Sequence, residues 1–493
     1  MRSALALRSS VLTRSLKQVL KSGIKDALRP VLQRYPTPQE PFDPSRWGLA
    51  QRPGAGLELH GVDLSALMRE WGSPLHVVDA ARLRANARRF LAVPRGASAG
   101  AEVYYSYKSN PIPGVLTFLH ERGVGAEVIS EYELWLARHL GVPAERVVYN
   151  GPAKSDHSLR EAIDSSILLL NFNHSEEIDR VAGIARALGR RVRVGVRVST
   201  GRGWSAQFGV PIEGGAALAA YTRALSCEAF DVVGLHAHRG GMIHDANELD
   251  GFVGDVLAFS DSLRASLGVE LALLDLGGSL GTPTVEHIST ADRRLSQAFY
   301  REISVPPAEQ RLQIESYVER LVTRVEEHCR ERQRARPRIL LEPGRAMTGD
   351  AQFLLTSVIE TKRADGKTYA IIDAGINLAE SARNEYHQLL PISRHGAERA
   401  ETYTVVGPIC TPGDTLYPAV RLPELRPGDT LAIMDAGAYF VPFSTSFSFP
   451  RPAVVMVDDD GQVRPLRRAE RHEDLIALDE PARPSSRLRR AGS

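Results

Sequence analysis

The stretch VYYSYKSNPIPG, residues 103–114, opens as a strand of apolar and aromatic side chains and stops on a lysine, Lys108. Ser109, Asn110 and Pro111 follow at once, so the strand cannot run on past the amine. Alone, that amine reads as a solvated cation or as a nucleophile held at a strand tip. The company it keeps decides between them. Seven more short apolar runs follow: VGAEV (124–128), RVVYN (146–150), ILLLN (167–171), VRVGVRV (192–198), DVVGLHAH (231–238), LALLDL (271–276) and RILLE (338–342). Amphipathic helical stretches separate them. SEYELWLARHLG opens with Ser130 and Glu133 in capping-box spacing and closes on Gly141. IESYVERLVTRVEEHC sets Ile314, Tyr317, Val318, Leu321, Val325 and Cys329 on one face. Near-continuous apolar strands signal parallel strands covered on both faces. Eight strand–helix units predict an α/β fold, a (β/α)8 TIM barrel, over residues 74–345.

After Arg345 the helical periodicity largely stops. Strand-like runs such as AQFLLTSVIE, TYAIIDAG and TLAIMDAGAY alternate with turn signals at Pro427-Gly428 and Asp460-Gly461. They predict a mostly antiparallel β-domain over 346–475, joined by residues 46–73 through a strand at 55–62. Residues 1–45 form a basic extension in which Leu16, Val19, Leu20, Ile24 and Leu28 recur at helical spacing. It reads as a loose docking arm, a membrane-surface or partner-binding helix, or a transit peptide. Residues 476–493 read as a disordered tail.

At 493 residues the chain is too long for one ordinary core. A formal net charge of +2 points to no nucleic-acid partner. Cys227, Cys329 and Cys410 are far apart in sequence, which fits a reducing, cytoplasmic setting rather than a disulfide framework. No apolar run is long enough to span a bilayer.

A barrel carries its active site at the C-terminal strand ends. There the sequence places Lys108, then His236 and His238 before Arg239-Gly240-Gly241. Asp275 precedes Gly277-Gly278-Ser279-Leu280-Gly281, and Glu342 opens Glu342-Pro343-Gly344-Arg345. Metal-dependent barrel hydrolases use an HxH pair, but on the first strand, so no metal is expected here. Pyridoxal phosphate uses every piece. A lysine condenses with its aldehyde, glycine turns and an arginine cradle its phosphate, an imidazole stacks on its ring, and a carboxylate keeps the ring nitrogen protonated.

These residues resemble the fold-type III pyridoxal-phosphate decarboxylases, the diaminopimelate and ornithine decarboxylase group, whose barrel is alanine-racemase-like. The resemblance runs from SPLHVVDAARLRAN through YSYKSN, HAHRGG, LGGSLG and EPGR to GPICTPGD and DAGAY. It implies a carboxy-lyase that releases CO2 from an amino acid. Lys108 would carry the cofactor and His238 would stack on it. Gly277, Gly278, Gly344 and Arg345 would hold the phosphate, and Glu342 the ring nitrogen. Cys410 would be the general acid, reaching in from the partner of a homodimer with shared sites, and Tyr439 would contact phosphate from that same partner. Arg345, Thr411, Asp414 and Tyr439 would line the substrate. Racemases of this fold place an arginine at the ring nitrogen, so Glu342 favours decarboxylation, and retention of the whole set argues against a catalytically dead regulator.

The match departs in three places. Diaminopimelate decarboxylases typically read Cys-Glu-Ser-Gly-Asp where this chain has Cys410-Thr411-Pro412-Gly413-Asp414. Their distal-carboxylate arginine follows Asp-Ala-Gly, whereas Arg383 in DAGINLAESARNEYH is out of step. Gly241 replaces a phosphate-binding serine. The departures imply an altered distal pocket, as in secondary-metabolite or siderophore enzymes, with the basic arm docking an acidic carrier protein. Ordinary decarboxylation of meso-diaminopimelate to L-lysine is the alternative.

Overall fold

The structure, a computed structural model, describes residues 40–479 apart from 53–55 and 204–206, with Gly23 and Ala27 besides. The expectations for the rest of the basic extension and for the tail after Asp479 lie outside the described residues. The tail's first four residues, 476–479, turn back on the short helix His472–Leu475, with the Asp479 N–H donating to Ile476 O at 3.1 Å.

The eight runs form eight strands: β1 (Glu102–Ser106), β2 (Gly125–Val128), β3 (Val147–Tyr149), β4 (Leu169–Phe172), β5 (Val192–Ser199), β6 (Phe230–Ala237), β7 (Leu273–Asp275) and β8 (Arg338–Leu341). Each pairs parallel with the next, and β8 pairs with β1, so the ring closes into the expected barrel. Successive side chains alternate across a strand. Val103 and Tyr105 therefore join the large core under the helices, while Tyr104 joins Val148, Leu169, Leu273 and Leu340 in a small separate cluster. The same alternation assigns the polar residues. Ala126 and Val128, Leu170 and Phe172, Val196 and Val198, Leu235 and Ala237, Leu274 and Leu276 all belong to the helix-facing core. Glu127, Asn171, Arg197, His236 and Asp275, one step out of phase with them, fall to the inner face.

The second domain is a mostly antiparallel sheet. Its long strand Gln352–Ala364 pairs antiparallel with Lys367–Ile372, Thr430–Ile433 and Leu75–Asp79. Leu75–Asp79 also pairs parallel with Ala453–Val457. This corrects the expected barrel start at residue 74. The segment reads like a barrel unit because Asp79 caps the helix Ala80–Leu91, accepting from the Ala81 N–H at 2.9 Å. Strand followed by helix does not say which sheet the strand enters. Leu49–Gln51, Leu57–Leu59 and Val62–Asp63 make a three-stranded sheet of their own, and Leu49, Leu57 and Leu59 pack with Leu75, Phe353 and Val455 in the β-domain core.

Candidate active site

At the C-terminal rim of the barrel the alternating pattern collects charge. Lys108 sits in a 3-10 turn (Tyr107–Ser109) directly after β1, and its Nζ lies 3.5 Å from Glu127 Oε2. The lysine side chain is 34% exposed and the glutamate 1%, so the amine opens to the rim above a buried counter-ion. Burial opposes the ammonium, but Glu127, Tyr439 and Glu342 outweigh it and hold the group above its usual range. The turn is braced from the other domain: Asn110 Nδ2 donates to Gln352 Oε1 at 2.9 Å and to Gly437 O at 3.1 Å.

Glu342 follows β8 and is buried with Asp275 at the end of β7. Burial, then the Asp275 and Glu127 carboxylates, pushes Glu342 well above the carboxylate range, and burial lifts Asp275 to about 7. The pair therefore holds a proton at neutral pH. A carboxyl raised above its unfolded value stabilises the fold fully below that value, near pH 4, and loses this contribution as pH rises through the folded pKa. Without cofactor, the unfolding temperature is expected to fall between about pH 5 and about pH 8, and Asp275→Asn to flatten that slope. Calorimetry on the apo protein checks this; a wild-type unfolding temperature that rises across the window contradicts it.

His236 and His238 share the inner face of β6 and its end. Burial first, then Arg197 and Lys108, keeps both rings neutral. His236 is 1% exposed, and neither ring nitrogen has a hydrogen-bond partner. Donor atoms of His236, His238 and Glu342 lie within 4.8 Å of one another. The Lys108 and Arg197 cations act on the same cluster and oppose a dication there.

The glycine turns hold the other half of the rim. Gly277 has φ 63°, and a Cβ there would collide with the His238 ring. A Cβ on Gly278 would strike the Glu342 carbonyl, so β7 and β8 can close only around glycine. Gly344 abuts Ser109 Oγ. Gly241, the position of the absent serine, has a neighbour that supplies a hydroxyl: Ser279 Oγ accepts from the Gly240 N–H at 2.9 Å and lies 3.3 Å from His238 Nε2. Arg345 Nη2 donates to Glu385 Oε1 at 2.7 Å, and its guanidinium lies 4.9 Å from the Tyr439 ring centroid. Arg345 Nη1 is buried without a partner. An orphaned guanidinium N–H beside two glycine turns suits an anion. With a lysine amine, an imidazole and a proton-holding carboxyl in the same rim, the donor set fits pyridoxal phosphate.

Three comparisons bear on this geometry. The family model for the pyridoxal-binding domain of pyridoxal-dependent decarboxylases matches residues 84–349. The chain belongs to that family. Diaminopimelate decarboxylases of Aquifex aeolicus and Methanothermobacter thermautotrophicus are each 32% identical to it, over 85% of this chain and 94% of theirs. The crystal structure of the diaminopimelate decarboxylase of M. jannaschii superposes with a TM-score of 0.78 at 25% identity, covering 88% of this chain and 98% of that one. The chain is thus a pyridoxal-phosphate-dependent carboxy-lyase of amino acids. Among the described residues no helix is long and apolar enough to cross a membrane.

Two expected placements are corrected. Tyr439 does not come from a partner subunit: its N–H donates to Ser109 O at 2.9 Å and its ring lies over Arg345 of the same chain. Asp414 does not face substrate. It is buried, and its carboxylate accepts from the Ile376 and Ile409 N–H groups, both at 2.7 Å, pinning the turn that carries Cys410. Cys410 itself is exposed, and Thr411 Oγ1 accepts from the Gly413 N–H at 3.3 Å. The sequence reading missed Glu127, Asn150, Asn171, Arg197 and Ser279. Four of these carry the signal of one polar residue inside or closing an apolar strand run; Ser279 looked like an ordinary turn residue.

Proposed function

We propose that the chain removes the α-carboxylate of an amino acid of the diaminopimelate type. The observation that carries this is the convergence of Lys108, Glu342, His238, the Gly277–Gly278 turn and the unpartnered Arg345 N–H on one barrel rim. Pyridoxal phosphate bound there supplies an electron sink for the pair left when a bond at Cα breaks. Lys108 would anchor it, with Glu127 as counter-ion. His238 would contact its ring, and Gly277, Gly278, Gly344, Arg345 and Tyr439 would hold its phosphate. Glu342 would meet the ring nitrogen. Cys410 delivers a proton to Cα from the partner subunit, so the enzyme works as a homodimer with shared sites. Two features support that arrangement: the exposed thiol on its pinned turn, and the exposed Phe443, Phe447 and Phe449 that follow Tyr439.

A second reading keeps the reaction and changes the far end of the substrate. Thr411 is neutral where a carboxylate would meet a distal amine, and Arg383 Nη1 is tied to Glu380 Oε1 at 2.9 Å. Such a pocket suits an amino acid without both distal charges, including one carried by an acidic carrier protein docked on the basic extension. Release of CO2 from meso-diaminopimelate and from a panel of other amino acids, with cofactor added, separates the two. The first reading expects turnover of meso-diaminopimelate well above the panel. Turnover of another amino acid with none of meso-diaminopimelate overturns it.

A further inference from the structure

Below Lys108 the buried amides form a connected chain. Asn150 closes β3 and Asn171 lies on the inner face of β4; both are 1–2% exposed. Asn150 Nδ2 donates to Glu127 Oε1 at 3.1 Å and to Glu342 Oε1 at 2.5 Å. Asn150 Oδ1 accepts from Asn171 Nδ2 at 2.8 Å, and the same Nδ2 reaches Asp275 Oδ2 at 3.5 Å. This geometry leaves no freedom in the Asn150 amide. Flipped, it would set its oxygen between two carboxyl oxygens and lose both donated bonds. Room for Asn171 comes from β5, where a Cβ on Gly195 would collide with Asn171 Oδ1.

We propose that Asn150, seated on Asn171, is a positioning residue that ties the carboxylate beside Lys108 to the carboxylate at Glu342 and favours the ionised form of Glu342. The proposal rests on the reading of the rim given above. Both Asn150 N–H groups are spent on carboxyl oxygens, Glu127 on the neighbouring strand and Glu342 at the end of β8. A donor to an ionised carboxylate stabilises that form, so removing it shifts Glu342 toward holding a proton. The groups facing Glu342 and its neighbours are Glu127 and Asp275, the rings of His236 and His238, Arg197, Lys108 and Tyr317. Further out, Lys154 acts on His236 and Glu127 acts on Glu133. None of them replaces the Asn150 bridge, because among the described residues Asn150 alone donates to both Glu127 and Glu342.

Asn150→Ala, with Asn171→Ala as the milder variant, tests this in two ways. In the loaded enzyme the acid limb of the kcat/KM profile should move up by about one pH unit, Asn171→Ala moving it less. In the apo protein the pH at which the unfolding temperature drops should rise by a similar amount. If Asn150→Ala does not fold, the same two curves for Asn171→Ala decide. Unmoved curves overturn the proposal even where the unfolding temperature is lowered throughout, because the amide would then only fill space. A wild-type enzyme that releases no CO2 counts against the function and leaves the apo curve to judge Asn150.

Discussion

Lys108→Ala is expected to abolish CO2 release, by more than about 10³-fold, while the protein still folds and unfolds cooperatively. The amine sits at the open rim, in a turn braced by Asn110 through Gln352 and Gly437 rather than by its own side chain, so truncation leaves the scaffold intact. Among the described residues no other lysine near the rim can take over. Lys154 also sits near the rim, but its side chain is 0% exposed, and its Nζ is committed to Gly151 O at 2.8 Å and to Glu177 at 3.1 Å. A substrate assay with saturating cofactor, alongside circular dichroism, gives the result; a variant within tenfold of wild type removes Lys108 from the mechanism.

The second large effect belongs to Cys410. A positioned general acid is worth about 10²- to 10⁴-fold, so Cys410→Ala should slow amine formation by that much while cofactor uptake stays normal. Some turnovers should then end with the proton on the cofactor rather than on Cα. Asp414 fixes the turn through two backbone bonds, so the loss should follow the thiol and not a collapsed loop. Cys410→Ser, which keeps a weaker proton donor at the same place, should fall between the two. Mixing Cys410→Ala with Lys108→Ala subunits probes the partner arrangement. Shared sites restore one intact site per mixed dimer, whereas sites made within one chain restore none. Near-normal amine production by Cys410→Ala refutes the assignment.

Much of this was legible before any coordinates. The eight barrel strands fall where the apolar runs lie, because buried parallel strands need apolar residues on both faces. The rim was legible because lysine, histidine, glycine turns and Glu342 each close such a run. What escaped was whatever sequence order does not encode. Leu75–Asp79 has the composition of a barrel strand, and only its pairing with Gln352–Ala364 and Ala453–Val457 puts it in the other domain. The resemblance sets Asp414 against the substrate, but sequence order does not show the two backbone N–H groups that its carboxylate accepts from. The resemblance implies Tyr439 from a partner subunit, whereas its N–H meets the carbonyl of Ser109, next to Lys108 of the same chain. Glu127, Asn150 and Asn171 stand on neighbouring strands, and closure of the barrel brings Glu342 and Asp275 within reach of the two amides.

Lys108 is expected to hold pyridoxal phosphate through a covalent bond. Cofactor-saturated enzyme reduced with borohydride, digested and mapped by mass spectrometry tests it directly. The reduced cofactor should be found on the peptide containing Lys108, with the Lys154 peptide unmodified and the Lys108→Ala protein unlabelled. Label on a different lysine, or none on saturated wild-type protein, would contradict it.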